Sequence, residues 1–144
     1  MKKRVLIVED EIFVALEIEH IVQLAGHEVC GIAADCAAAF DAADFCDIAL
    51  VDLNLRDGAT GPQIGQALSA RGVRVIYVTA NPAQIGGASV GALGAITKPF
   101  RDVTIRDALR LAAQDDPDPA AVEIAGFTPF LPSFGSWPGR GYTA

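Results

Sequence analysis

The chain has little cysteine and histidine, with three cysteines and two histidines in 144 residues. Cys30, Cys36 and Cys46 are odd in number, form no CxxC pair and match no zinc-binding spacing. We expect them to be small buried side chains of a protein in a reducing compartment. His20 and His27 stand alone, so the sequence predicts no histidine metal site.

The chain also lacks excess positive charge and long apolar runs. Its net charge of −7 repels phosphate backbones, and the single basic run at residues 2–4 does not offset it. No stretch approaches the ~18 apolar residues of a membrane span. The first apolar run, residues 5–8, meets acidic residues at once, which is not the pattern of a signal peptide. We therefore expect a cytoplasmic protein with no nucleic-acid or membrane partner.

What is present is a repeating pattern of strands and helices. Hydrophobic residues make up 51% of the chain, enough for one domain with a core. Short apolar runs predict five strands, at residues 5–8, 28–33, 48–51, 73–78 and 93–96. Helical segments follow each strand, although Gly86, Gly87 and Gly91 predict that the fourth helix is weak or short. Five such units indicate an open, mostly parallel sheet with helices on both faces.

Polar residues follow the predicted strands, where ligands bind in such sheets. Clustered carboxylates need a cation to hold them together, and hard oxygen ligands favour Mg²⁺. An ammonium group and a hydroxyl beside them suit phosphoryl oxygens. Asp52 ends the central strand, so we assign it the nucleophilic attack. The residues after the first, third, fourth and fifth strands are Glu9 and Asp10, Asp52 and Asn54, Thr79 and Ala80, and Lys98 and Pro99.

Four motifs in this pattern are similar to those of response-regulator receiver domains. They are VLIVEDE, ALVDLNL, VIYVTAN and ITKPF, and each closes a predicted strand. The resemblance covers residues 4 to about 114, with the motifs in the family's order. It implies a flavodoxin-like (βα)5 fold of five parallel strands and five helices.

The resemblance also implies a role for each acidic residue. Asp52 would take a phosphoryl group from a phosphohistidine of a sensor kinase or of a histidine phosphotransfer protein. The Asp10 and Asp52 side chains and the main-chain carbonyl of Asn54 would bind Mg²⁺, and Glu9 would act mostly through water. The protein would catalyse its own phosphorylation and dephosphorylation without being a classical enzyme.

The remaining motif residues concern binding of the phosphoryl group and the switch. By resemblance, Thr79 and Lys98 hold the phosphoryl oxygens, and the bond between Lys98 and Pro99 is cis. Switching in the family moves Thr79 and the segment that begins at Ala80. It reshapes the face made by the fourth helix, the fifth strand and the fifth helix. This chain carries Ala95 where most members have Tyr or Phe, so its signal must travel without the usual aromatic rearrangement.

We divide the chain into a receiver domain, residues 1–115, and a tail, residues 116–144. The tail holds five of the eight prolines and five of the ten aromatic residues. It is either an unstructured end, a segment that folds back on its own domain, or a segment that docks on a second copy or another protein. We favour docking. The expected anchors are Phe127, Phe130, Phe134 and Trp137.

Three other functions compete with a phosphorylated receiver. An aspartate-nucleophile phosphatase needs an acid/base Asp two residues after its nucleophile, and here that residue is Asn54. A flavin or nucleotide carrier would not place acidic residues after the first strand. A degenerate receiver that acts only by binding would not need the complete set of site residues.

Because no effector domain is expected, the output would be phosphorylation-dependent binding of a downstream protein or a second copy, relay to a histidine, or a phosphate sink.

Overall fold

The computed structural model describes residues 2–86 and 91–130 as alternating strands and helices. Short 3-10 turns stand at Ala43–Phe45, Pro82–Gln84 and Pro119–Ala121. The strands and helices, in chain order, are β1 (Arg4–Val8), α1 (Ile12–Leu24), β2 (Glu28–Ala33), α2 (Cys36–Ala42), β3 (Ile48–Val51), α3 (Gly61–Ala70), β4 (Arg74–Thr79), β5 (Ala92–Thr97), α4 (Asp102–Ala112) and β6 (Phe127–Pro129).

The strands form one sheet in the order β2-β1-β3-β4-β5-β6. The first five are parallel, as predicted, and β6 runs antiparallel to β5. The residues of β3 are all buried, because helices cover both faces of the sheet. One core cluster lies under α2 and α3, and the other lies under α1 and α4. Chain order reverses between β1 and β3, which places a crevice at their carboxyl ends.

The described residues contain four α-helices and not the five that the resemblance implied. The predicted weak fourth helix is a 3-10 turn at Pro82–Gln84, and residues 87–90 of that segment lie outside the described residues. The glycines after this turn, Gly86, Gly87 and Gly91, have low helix propensity, whereas Pro82 stands at the first position of the turn, where proline is tolerated. No helix in residues 2–86 and 91–130 is long and apolar enough to cross a bilayer.

The sheet has a sixth strand that the sequence did not predict. Residues 127–129 of the tail pair with β5, so part of the tail folds back on its own domain. The three-residue strand contains Pro129, and a proline in a short run predicts no strand on its own. It forms because β5 offers it a free edge.

The cysteines also differ from the expectation. Cys30 and Cys46 form a disulfide, with their Cα atoms 6.2 Å apart, whereas Cys36 is free and partly buried. Cys30 lies on β2, and Cys46 follows the 3-10 turn after α2. Sequence spacing could not predict this pair, because the contact depends on how α2 packs against β2.

Candidate phosphorylation site

Three carboxylates meet at the carboxyl end of the sheet. Parallel pairing of β1 with β3 places Val8 beside Val51, so the residues that follow these strands become neighbours. Glu9, Asp10 and Asp52 each bring a carboxylate oxygen to within 4.8 Å of the others. Glu9 and Asp52 are only 2% and 8% exposed, while Asp10 is exposed at the rim. The structure thus brings together the acidic residues that the sequence predicted.

Lys98 provides the positive charge of this cluster. Its Nζ donates to Glu9 Oε1 at 2.7 Å and to Asp52 Oδ2 at 3.0 Å. Glu11, which the sequence interpretation gave no site role, has a carboxylate oxygen 3.8 Å from the same Nζ. When all three clustered carboxylates are ionised, they and the one ammonium carry a formal excess of two negative charges.

Burial and neighbouring charge shift the pKa values of two site residues. Burial raises the pKa of Glu9 to about 7, and the Asp52 charge adds to this effect against the hydrogen bond from Lys98. Burial alone would lower the pKa of Lys98, but its hydrogen bonds to Glu9 and Asp52 outweigh burial and raise that pKa. Lys98 therefore stays charged, and its ammonium group is held beside Asp52.

The donor set of the cluster fits Mg²⁺. Its three protein ligands are carboxylates, and the cluster includes no histidine or cysteine. Mg²⁺ prefers oxygen ligands and binds through one or two carboxylates together with phosphate oxygens. Glu9, Asp10 and Asp52 are the residues that would hold it. The main-chain N–H of Asn54 donates to Asp52 Oδ1 at 3.4 Å, which keeps the Asn54 backbone beside the cluster.

Thr79 and Lys98 end adjacent strands. Thr79 is fully buried, and its Oγ1 accepts a hydrogen bond from the Asn81 N–H at 3.0 Å. The Lys98 N–H donates to the Thr79 carbonyl at 2.9 Å, which fastens the end of β5 to the end of β4. The bond between Lys98 and Pro99 is cis, as the resemblance implied. The two residues expected to hold phosphoryl oxygens are therefore linked through their backbones.

Two residues that support the site were missed by sequence reasoning. Gln84 accepts a hydrogen bond from the Asn54 side-chain amide at 2.9 Å and so joins two loops at the rim. Gly61 begins α3 directly on the backbone of Asp52, and a Cβ there would overlap the Asp52 carbonyl oxygen and Leu53 Cα. Sequence alone gives no sign of this contact, and only the tertiary structure shows why position 61 must be glycine.

The other residues noted in the sequence lie around the site. Ala80 and Pro99 line a shallow pocket beside Lys98. Ala95 is buried on β5 and pairs in register with Tyr77 on β4. Arg56, two residues after Asn54, is largely exposed, and its guanidinium lies 3.9 Å from the Asp35 carboxylate.

Two of the four expected tail anchors lie against the domain. Phe127 is buried between β5 and α4, in the cluster that also contains α1 residues. Phe130 packs on the opposite core cluster, with its ring centroid 6.4 Å from that of Tyr77. Phe134 and Trp137 lie outside the described residues.

The doubly covered parallel sheet, with an acidic cluster and a lysine at its carboxyl end, is the architecture of a receiver domain. Residues 5–110 match the response regulator receiver domain family, and the chain belongs to this family.

Several relatives of the chain are PhyR proteins. The chain is 30% identical to the PhyR receiver domain of Erythrobacter litoralis, with a TM-score of 0.72 over 81% of this chain and 95% of that one. It is 26% identical to the anti-anti-sigma factor PhyR of Bartonella quintana, with a TM-score of 0.67 over 78% of this chain and 47% of that one. The phyllosphere-induced regulator PhyR of Methylorubrum extorquens is 31% identical over 110 residues, which are 73% of this chain and 41% of the relative. The chain thus spans about two fifths of the length of that relative.

Proposed function

We infer that the chain is a phosphoacceptor of two-component signalling that carries its phosphoryl group on Asp52. The observation that supports this most strongly is the position of Lys98 Nζ, within 3.0 Å of both Glu9 and Asp52 in the acidic cluster. A lysine that served only as a surface charge would not be drawn into a site where Glu9 is almost wholly buried.

The reaction we propose is transfer from a phosphohistidine. An Asp52 carboxylate oxygen attacks phosphorus, a P–O bond forms, and the P–N bond breaks with its electron pair going to the imidazole nitrogen. In this proposal Lys98 pairs with one phosphoryl oxygen, and the Thr79 hydroxyl, whose oxygen accepts from the Asn81 N–H, donates its own proton to another. Bound Mg²⁺ would supply charge neutralisation for the phosphoryl oxygens.

The donor protein needs a surface beside Asp52 on which to dock. The first turns of α1, directly after the acidic residues, expose Ile12, Phe13 and Leu16. Phe13 is 84% exposed, which is unusual for so large an apolar side chain. We propose this patch as the docking surface for the histidine-bearing partner, a sensor kinase or a phosphotransfer protein.

We propose protein–protein interaction as the output. The Bartonella quintana relative is an anti-anti-sigma factor by name, a role that acts through other proteins. The acidic net charge of −7 also disfavours direct DNA binding. A phosphate sink, with no downstream partner, is the second candidate, and the exposed patch on α1 serves both.

Intact-mass spectrometry with acetyl phosphate and Mg²⁺ tests the proposal. The wild-type chain should gain one phosphoryl group, about 80 Da. The gain should be absent in Asp52→Ala and without Mg²⁺, and it should persist in Asp47→Asn, a matched loss of one carboxylate at the other end of the sheet. An unmodified wild-type chain that is folded, or a gain that survives in Asp52→Ala, would contradict the proposal.

A further inference from the structure

The tail strand β6 is attached along the outer edge of β5. Its residues pair with Gly94, Ala95 and Ile96. A backbone hydrogen bond closes each end of the pairing. The Phe130 N–H donates to the Leu93 carbonyl at 2.9 Å, and the Thr97 N–H donates to the Gly126 carbonyl at 3.1 Å. The attachment therefore runs the length of β5, up to the residue before Lys98.

Small residues on β5 make room for the large side chains of the tail. A Cβ at Gly94 would overlap the Phe127 ring and the Thr128 carbonyl oxygen. Ala95 stands in register between Tyr77 and Thr128, and its methyl group leaves space for the Phe130 ring to reach Tyr77. Because Phe127 and Phe130 pack on opposite faces of the sheet, they hold the edge from both sides. The fit indicates that β5 is shaped for this tail.

The strands that hold the tail also carry the phosphoryl-binding residues. Tyr77, which contacts Phe130, lies two residues before Thr79 on β4. Thr97, which holds Gly126, lies directly before Lys98. The tail thus contacts both β4, through Tyr77, and β5, through the strand pairing. It can keep both contacts only while β4 and β5 hold their position relative to each other.

We propose that phosphorylation of Asp52 loosens β6, so that the docked tail marks the unphosphorylated state. This inference rests on the proposed function of Asp52. Lys98 already reaches Asp52 at 3.0 Å, so it is Thr79, on β4, that must close on phosphoryl oxygens held at β3, on the side of the sheet away from β6. A shift of β4 against β5 separates Phe130 from Tyr77 or strains the pairing with β5. A loosened β6 uncovers backbone groups of β5, at which another extended segment can pair.

Hydrogen exchange on the full chain, with and without acetyl phosphate and Mg²⁺, measures this coupling. The informative amides are those of Phe130 and Thr97, because each is held by a bond between the tail and β5. Intact mass on the same samples reports how much of the chain is phosphorylated. We expect these two amides to exchange about fivefold faster or more in the phosphorylated chain, the usual lower range of coupling between two sites. Asp52→Asn should show no change.

Because the docked tail stabilises the unphosphorylated conformation in this proposal, weakening the tail should make the phosphorylated conformation easier to reach. We expect Phe130→Ala to reach a higher phosphorylated fraction than wild type at equal acetyl phosphate. Phe45→Ala removes the same side chain from an exposed position on the 3-10 turn after α2 and should behave as wild type.

The outcomes separate the two proposals. A phosphorylated chain whose Phe130 and Thr97 amides exchange at an unchanged or slower rate overturns the inference and leaves the phosphoacceptor role intact. A folded chain that gains no phosphoryl mass overturns the phosphoacceptor role, and the inference falls with it.

Discussion

The two ends of the sheet differ in how their charged residues are paired. At the amino end, Arg4 pairs with Asp47 at 3.3 Å, and Arg74 donates to main-chain carbonyls after α4, including Ala112 at 2.7 Å and Asp115 at 2.9 Å. At the carboxyl end, Lys98 pairs with Glu9 at 2.7 Å and with Asp52 at 3.0 Å, in a cluster that also contains the Asp10 carboxylate. These amino-end charges are satisfied by the protein itself and fasten its elements together. The carboxyl end has an excess of negative charge, and two of its three carboxylates are buried. Binding of a cation and a phosphoryl group, as proposed above, would balance this charge.

The largest expected difference between the two ends is in phosphorylation rate. Lys98→Ala removes the ammonium beside Asp52 and should slow phosphorylation by acetyl phosphate about 100-fold, as for loss of one transition-state donor. Arg4→Ala removes a positive charge at the amino end and should leave the rate within about twofold of wild type, since it touches no reacting group. Initial rates from intact mass give both values. Equal phosphorylation rates for Lys98→Ala and Arg4→Ala would contradict the claim that only the carboxyl end of the sheet takes part in phosphorylation.

The next effect concerns packing under the site. Gly61→Ala places a methyl group against the backbone of Asp52 and Leu53, so the strand end must move. We expect a loss of about 1–3 kcal/mol in the free energy of unfolding, the usual cost of overpacking. Gly31→Ala on β2 is the matched control, because its Cβ would meet Ala42 and Leu6 at ordinary distances of 3.5 and 3.6 Å. Urea unfolding compares the two, and equal losses would refute the close packing on Asp52.

A smaller effect is expected from the metal alone. Mg²⁺ at about ten times its dissociation constant should stabilise the folded chain by about 1.4 kcal/mol, because it binds the folded state only. Asp10→Asn should weaken this stabilisation, since it removes one of the three clustered carboxylates. Asp47→Asn should keep it. Thermal unfolding with and without Mg²⁺ measures the shift, and an equal loss in both variants would mean that the ion does not bind at the carboxyl end.

The smallest effect belongs to the exposed pair at the amino end. Hydrogen bonds from Arg4 lower the pKa of Asp47 below its ordinary 3.8. The pair therefore stabilises the folded state fully above pH 3.8, and this stabilisation is lost as the pH falls through the lower pKa of the folded state. Because both side chains are well exposed, Asp47→Asn should cost only about 0.5 kcal/mol at pH 7. In urea unfolding, the difference in the free energy of unfolding between wild type and Asp47→Asn should become smaller toward pH 3. A difference that grew at low pH would have the wrong sign.

The sequence predicted the parts of the fold that depend on local pattern. The five parallel strands are short apolar runs, and their buried residues leave little choice of structure. The site residues could be predicted because each lies at the end of a strand or within three residues after it, and parallel strands end at one edge. Local chemistry also explains the start of α2, where the Asp35 side chain caps the helix by accepting from the Ala38 N–H at 3.0 Å.

What the sequence did not predict depends on contacts between distant segments. The strand β6 forms only because it pairs with the edge of β5, where small residues leave room for the large side chains of the tail. Neither the sequence of β5 nor that of β6 indicates this pairing by itself. The disulfide of Cys30 with Cys46 and the support that Gly61 gives Asp52 have the same origin. Local pattern thus indicated which residues meet at the carboxyl end of the sheet, while tertiary packing determined how the tail and these residues are held.

The most direct test of the account is to locate the phosphoryl group by chemistry. An aspartyl phosphate is reduced by borohydride to homoserine, so reduction after treatment with acetyl phosphate and Mg²⁺ marks the modified residue in peptide mass spectra. The account predicts homoserine at position 52 and unmodified Glu9 and Asp10. Homoserine at another acidic residue, or none in a folded chain, would contradict it.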